Sequence, residues 1–148
     1  MGGVASLSEL RQVVETRVEP DERVLGAFIG MTGPRPGVEA FSLLPFAVVL
    51  VMFGSFWIAA VVGAITFGLI VWSRTNVTVA RTTRGVVLLE QGRRMVPSPD
   101  AELVRMPPNV GIIVGDETGD PTVNVGQFGL WVAGEHQDEA RRLSKLKV

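Results

Sequence analysis

The stretch FSLLPFAVVLVMFGSFWIAAVVGAITFGLIVW, residues 41–72, decides the class of protein that this sequence predicts. It is almost wholly apolar, and no charged side chain occurs between Glu39 and Arg74. A helix rises about 1.5 Å per residue, so about 20 apolar residues cross the hydrocarbon core of a bilayer. The pattern therefore predicts a membrane protein in which residues 41–72 form a transmembrane segment.

Two arrangements of this segment are open. A single helix of 32 residues would be about 48 Å long, which exceeds the bilayer unless the helix is strongly tilted. A helical hairpin that turns near residues 53–57 uses the flexibility of Gly54 and the preference of Trp57 for the interface. Arginines flank the segment on both sides, at Arg35 and Arg74, and the positive-inside rule then favours the hairpin. The expected location is the plasma membrane, with both ends and the soluble domain in the cytoplasm.

Small residues recur every four positions in the second arm of the hairpin, at Ala60, Ala64 and Gly68. This spacing places them on one stripe, where another helix can approach closely. The partner would be the first arm or a second protomer, and chance spacing is the alternative. These three residues are the candidates for helix packing.

Two regular elements are predicted before the apolar segment. Apolar residues recur at helical spacing over residues 7–18, and Ser6 with Glu9 has the spacing of a capping box. We therefore expect an N-terminal amphipathic helix within residues 1–20 that packs on its own domain. Residues 21–40 then hold a first strand and a linker rich in proline and glycine.

Short β-type runs separated by turn residues follow the apolar segment, in a domain predicted at residues 73–134. Their spacing suits an antiparallel sandwich or barrel. A terminal helix is predicted over residues 135–148, because acids at its start and bases near its end complement the helix dipole. The predicted class is thus α+β. The predicted strands are residues 76–81, 85–90, 93–96, 101–106, 110–115, 121–126 and 128–133.

Composition excludes several functions. The chain has 14 basic and 15 acidic residues and a formal net charge of −1, so it has no general attraction for nucleic acid. It has no cysteine, which excludes disulfides and thiolate chemistry. It also lacks the motifs of phosphate loops, zinc proteases and serine hydrolases. We therefore expect no enzymatic activity and no cofactor.

Two polar clusters are weighed as sites and set aside. His136 is the only histidine and stands among acidic residues at the start of the terminal helix, where we expect a solvated surface position. Asp116, Thr118 and Asp120 alternate as the first ligands of a calcium loop do. Pro121 stands where that loop needs glycine, so the pattern predicts a turn and no metal site.

Arginines gather in the sequence just after the apolar segment. On the cytoplasmic side such residues are attracted to anionic headgroups, by about 1 kcal/mol each. The alternatives are a role in setting topology and simple solvation at strand ends. The candidate residues for contact with lipid or a partner are Arg74, Arg81, Arg84, Arg93 and Arg94.

The order of parts resembles a family of small actinobacterial membrane proteins with a bacterial pleckstrin-homology-like (PH-like) domain. The resemblance rests on the strand-like ERVLGAFIG at residues 22–30, the long apolar segment, and VTVARTTRGVVLLEQGRR at residues 77–94. Gly85 stands where the family usually has a second arginine or the first valine of the strand.

The resemblance implies a bent, seven-stranded PH-like β-sandwich that is closed by a C-terminal helix, with the helical hairpin inserted after the first strand. It does not imply catalysis, since such domains bind proteins, peptides or lipids. Eukaryotic relatives bind phosphoinositides through basic residues in the loop after the first strand. Here that place offers only Arg35, so a phosphoinositide ligand is not expected.

The resulting hypothesis is a non-enzymatic, membrane-anchored interaction module. Its cytoplasmic β domain would bind a protein partner or the lipids of the inner leaflet. The alternative is a small accessory or structural subunit of a larger membrane protein complex, in which the hairpin is buried against other helices. A homo-oligomer is compatible with both, and the ligand and the partner are not identified.

Overall fold

The chain folds into two compact units in the computed structural model. The structure describes residues 6–34, 37–92, 101–107, 109–115, 122–132, 134 and 136–146. One unit, here called the hairpin unit, is Gly33–Arg74. The other, here called the β unit, comprises Met1–Thr32 and Thr75–Val148.

A seven-stranded antiparallel sheet forms the β unit, with the strand order β4-β3-β2-β1-β7-β6-β5. The α+β content, the antiparallel pairing and the terminal helix were all expected, whereas the predicted strand at 93–96 lies outside the described residues. The strands are β1 Val24–Thr32, β2 Thr75–Thr82, β3 Gly85–Gly92, β4 Leu103–Arg105, β5 Ile112–Val114, β6 Thr122–Val125 and β7 Phe128–Trp131.

The three longest strands lie side by side, each antiparallel to the next. Thr32 at the end of β1 faces Thr75 at the start of β2. A two-residue turn then joins β2 to β3, where Thr82 faces Gly85. Gly85 has a φ of 141°, in a region that side chains with a Cβ rarely adopt. The sequence TTRG therefore reverses the chain at this point.

Alternation along the central strands gives the sheet two buried faces. In β3, Leu88 joins a core formed with β5, β6, β7 and the terminal helix, while its neighbour Leu89 joins a second core on the opposite face. Successive side chains of a strand point to opposite faces, so one continuous apolar run fills both cores. Among the described residues, the largest side chain that is fully buried is Phe28 of β1.

A helix covers each of the two faces. α1, Leu7–Glu15, places Leu10 and Val14 in the second core, so its predicted packing on its own domain is confirmed. The capping box of Ser6 and Glu9 is also confirmed, although the helix ends earlier than predicted. α4, His136–Ser144, packs against the first core.

Two helices make up most of the hairpin unit. A short 3-10 helix, Val38–Ser42, leads into α2, Leu43–Phe53, and α3 follows as Phe56–Trp72. Between α2 and α3, Gly54 adopts the left-handed conformation with a φ of 64°, and Ser55 is extended. The break falls inside the interval 53–57 that the sequence indicated.

The prediction of a transmembrane segment is wrong. The break at Gly54 leaves helices of 11 and 17 residues, about 16 Å and 26 Å long, against a hydrocarbon core of about 30 Å. None of the helices in the described ranges combines the length and the hydropathy that a transmembrane helix needs. This finding overturns the membrane-protein class, the spanning hairpin, the alternative of one tilted helix, and the expected plasma-membrane location.

Candidate functional site

Large apolar side chains lie exposed on the hairpin unit. Of the eighteen large apolar side chains that are exposed among the described residues, sixteen belong to this unit. We call them the hairpin surface: Phe41, Leu43, Leu44, Val48, Val51, Met52, Phe53, Phe56, Trp57, Ile58, Val61, Ile65, Phe67, Leu69, Val71 and Trp72. Monomeric proteins rarely expose many large apolar side chains together, so the hairpin surface is the first candidate site.

The contact between α2 and α3 explains why so much apolar surface stays exposed. Ala59 is the only residue of α2 or α3 that is buried. A Cβ added to Gly63 would lie 3.2 Å from the Cβ of Phe46, so α2 approaches α3 closely at this glycine. The ring of Phe46 also meets the ring of Phe56 edge to face, with centroids 5.9 Å apart. The helices therefore touch along one narrow seam.

The predicted stripe of small residues lies largely outside this seam. Ala60 is half-buried, whereas Ala64 is exposed. A Cβ on Gly68 would meet no other atom within 4 Å. The small residue that approaches α2 closely is instead Gly63, one position before Ala64. Part of the stripe is thus open to a further helix.

An ion pair joins residues near the two ends of the hairpin unit. Arg74 binds the carboxylate of Glu39, and its Nε donates to the backbone oxygen of Pro34 at 3.2 Å. The hydrogen bond from Arg74 lowers the pKa of Glu39 to about 2, and backbone N–H groups, including that of Gly37, contribute. Arg74 thus serves the local fold of the hairpin unit.

The other candidate arginines lie in the β unit or outside the described residues. Arg81 on β2 is buried, with 8% of its surface exposed. Arg84, in the turn between β2 and β3, pairs with the carboxylates of Glu19 and Asp21. Two more candidates, Arg93 and Arg94, lie outside the described residues.

A buried carboxylate that the sequence did not reveal stabilises the β unit. Glu22, only 5% exposed, accepts hydrogen bonds from both terminal nitrogens of Arg105, at 2.8 and 2.7 Å, and another from Thr82. The hydrogen bonds from Arg105 are the main reason that the pKa of Glu22 is lowered. Because 83 residues separate Glu22 from Arg105, no local pattern could indicate this pair.

The expectation of a solvated His136 is wrong. His136 is buried, with 4% of its surface exposed, because α4 lays its first turn against the sheet. In the part of the chain that the structure describes, no group of acidic or histidine side chains could hold a metal ion. The acidic turn at residues 116–120 lies outside that part.

A cavity of about 230 Å³ lies within the β unit, near the end of β1 and the start of β2. Its walls are apolar and come from Val77, Leu88, Val104, Phe128 and Leu130. Polar residues line the rest, namely Thr32, Thr75 and Glu90. We call this space the strand-end cavity. No sequence motif indicated it, because it is formed by residues from five strands.

Comparison of the chain with protein-family models, with curated proteins and with solved structures gives no match. The resemblance to PH-like proteins therefore stays a prediction. The function has to be inferred from the hairpin surface, the β unit and the strand-end cavity.

Proposed function

We propose that the chain is a non-enzymatic interaction protein. Its hairpin unit packs among apolar helices of a partner protein, and its β unit is the module that this attachment presents for further binding. The observation that supports the proposal is the concentration of exposed large apolar side chains in one unit. Among the described residues, sixteen of them belong to the hairpin unit and two to the β unit.

The distribution of these side chains favours burial on more than one side. Neither α2 nor α3 has a polar face, and residues 40–73 include no charged side chain. Helices that are apolar all round are stable when surrounded by other apolar groups. A partner with apolar helices meets this requirement, and the open positions at Ala64 and Gly68 allow a close backbone approach.

The exposed area is also sufficient for a stable interface. Six aromatic side chains of the hairpin surface are between 48% and 79% exposed. Since an aromatic side chain buries about 150–250 Å², these six alone offer roughly 750 Å². A standard protein interface buries about 800 Å² on each partner. The remaining aliphatic side chains enlarge the available surface further.

The architecture of the β unit supports its role as a binding module. Seven antiparallel strands with a C-terminal helix are what the resemblance to PH-like domains implies, and such domains bind proteins, peptides or lipids. An attached module reaches its ligand at a high effective concentration, so weak intrinsic binding is enough.

Site-specific photo-crosslinking of the full chain in its native cells tests the proposal. A photoreactive amino acid replaces Trp57 or Leu69 of the hairpin surface, and Ile113 of β5 serves as the matched exposed control. We expect one protein adduct of fixed mass and one-to-one stoichiometry from positions 57 and 69. The same adduct from position 113 is not expected.

A second comparison links the adduct to apolar packing. Val61→Glu places a charge on the hairpin surface and should abolish crosslinking from position 57, whereas Ile113→Glu should leave it unchanged. Crosslinks to lipid alone, or a protein adduct that survives Val61→Glu, would contradict the proposal.

A further inference from the structure

The strand-end cavity has the size and walls of a small ligand site. Val77, Leu88 and Leu130, which form its inner wall, are at most 6% exposed. An apolar cavity of about 150 Å³ in another protein stays free of water and accepts benzene. At about 230 Å³, the strand-end cavity has room for a somewhat larger apolar group.

The polar residues that line the cavity indicate which polar or charged group a ligand should have. The hydroxyls of Thr32 and Thr75 hydrogen-bond to each other, and that of Thr32 also contacts the backbone oxygen of Thr75 at 3.2 Å. Glu90 is the one charged residue among the described residues that line the cavity, and it is exposed. A carboxylate beside an apolar space is complementary to a ligand that is apolar at one end and cationic at the other.

We propose that the strand-end cavity binds a small apolar amine, with its ring or short alkyl chain among Val77, Leu88 and Leu130 and its ammonium group near Glu90. Burial of the apolar end supplies most of the affinity, since about 25 cal/mol is gained for each Å² removed from water. The charge supplies selectivity, because an exposed ion pair contributes little on its own. The site lies wholly in the β unit and does not depend on the function proposed for the hairpin unit.

A matched pair of probes tests the proposal on the full chain. Cyclohexylmethylamine and cyclohexanecarboxylate share one ring and differ in the sign of their charge. Each is titrated while the methyl resonances of the protein are recorded by NMR. We expect saturable shifts at Val77, Leu88 and Leu130 with the amine, and binding of the carboxylate that is about five-fold weaker.

Two variants locate the charge and the mouth of the cavity. Glu90→Gln should remove the preference for the amine and leave the binding of the neutral probe toluene unchanged. Val104→Trp fills the cavity from a position that is 37% exposed, and it should abolish binding of all three probes. Ile113→Trp, at an exposed position on β5, is the control and should bind as the unchanged chain does.

Three results would overturn the proposal. The first is shifts confined to methyl groups of the hairpin surface, such as those of Val61 and Leu69. The second is equal binding of the amine and the carboxylate by the unchanged chain, a measurement that does not rely on any variant folding. The third is binding of the amine that does not saturate.

Discussion

The β unit and the hairpin unit are both rich in large apolar side chains, but they place them differently. Phe28 and Leu130 of the β unit are fully buried, whereas Phe53 and Trp57 of the hairpin unit are 67% and 79% exposed. The β unit thus contains the apolar core that its own sequence can form. The hairpin unit leaves most of its large apolar side chains exposed.

The cause of this difference is the geometry of the two kinds of element. A strand has two faces, and the sheet buries one face under α1 and the other under α4 and the remaining strands. A helix that is apolar all round has more faces than a single neighbour can cover. α3 approaches α2 closely at Gly63, and Ala59 is the only residue of the two helices that is buried. An apolar sequence therefore completes its burial within the chain only when enough elements surround it.

The largest effect is expected when the same truncation is made in the two units. Phe28→Ala should lower the free energy of unfolding by about 3–5 kcal/mol, because it leaves a cavity in the core of the β unit. Phe53→Ala removes the same side chain from an exposed position and should change the free energy of unfolding by less than about 0.5 kcal/mol. Urea unfolding of both variants, followed by circular dichroism, measures the difference.

The contrast between the two units would be contradicted if both truncations lowered the free energy of unfolding by similar amounts. A large loss for Phe53→Ala would mean that the hairpin surface is covered in the purified protein. If a second copy of the chain covers the hairpin surface, the free energy lost in Phe53→Ala should depend on protein concentration. Unfolding measured at several dilutions tests this.

The next largest effect concerns the buried carboxylate of the β unit. Glu22→Gln removes the charge that Arg105 and Thr82 bind, and we expect a loss of about 2 kcal/mol in the free energy of unfolding. Glu19→Gln changes an exposed carboxylate that pairs with Arg84, and its effect should be below about 1 kcal/mol. Urea unfolding at neutral pH compares the two variants.

The pH dependence of the free energy of unfolding gives an independent check on Glu22. Its pKa is lowered in the folded state, so its contribution is fully present above the unfolded pKa. That contribution is lost as the pH falls from about 4.5 through the folded pKa. Glu22→Gln should flatten the acid limb of the stability curve. An acid limb that is unchanged in this variant would show that Glu22 and Arg105 are not paired.

Local patterns predicted much of the β unit. The capping box at Ser6, the turn before Gly85 and the short β-type run after it each depend on neighbours in sequence, and each is present. The turn of the apolar segment was located correctly, but its class was not, because hydropathy shows how apolar a segment is and not whether each arm is long enough to cross a bilayer. The conformation of Gly54 divides the segment into helices that are each too short to span a bilayer.

The candidate sites were less accessible to sequence reasoning, because they depend on contacts between distant residues. His136 has polar neighbours in sequence, and only the packing of α4 on the sheet shows that it is buried. The pair of Glu22 and Arg105 and the strand-end cavity combine residues from separate strands and turns. The arginines at positions 74 and 84 were noticed, but their carboxylate partners were not.

Two glycines of the hairpin unit should respond to alanine in opposite directions. Gly54→Ala places a Cβ on a left-handed residue and should destabilise the turn by about 1–2 kcal/mol. Gly68→Ala lies inside α3 with open space around it and should stabilise the helix by up to about 1 kcal/mol. Amide hydrogen exchange in α3 measures both changes, and changes of the same sign would contradict the geometry of the hairpin.

The smallest effect is expected at the base of the hairpin unit. The hydrogen bond from Arg74 holds the pKa of Glu39 at about 2, so the carboxylate stays ionised through most of the acid range. Arg74→Gln should raise this pKa toward 4.5, because the charged donor is lost. The rise should be incomplete, since the backbone N–H of Gly37 still donates to Glu39 at 2.6 Å. Carboxyl carbon NMR across an acid titration measures the midpoint.

Arg84→Gln is the matched control for this titration. Arg84 also binds carboxylates, but it belongs to the β unit and pairs with Glu19 and Asp21. Its loss should leave the pKa of Glu39 at about 2. A Glu39 midpoint that moves with Arg84→Gln, or that stays low in Arg74→Gln, would show that the ion pair of Arg74 is not what keeps this carboxylate ionised.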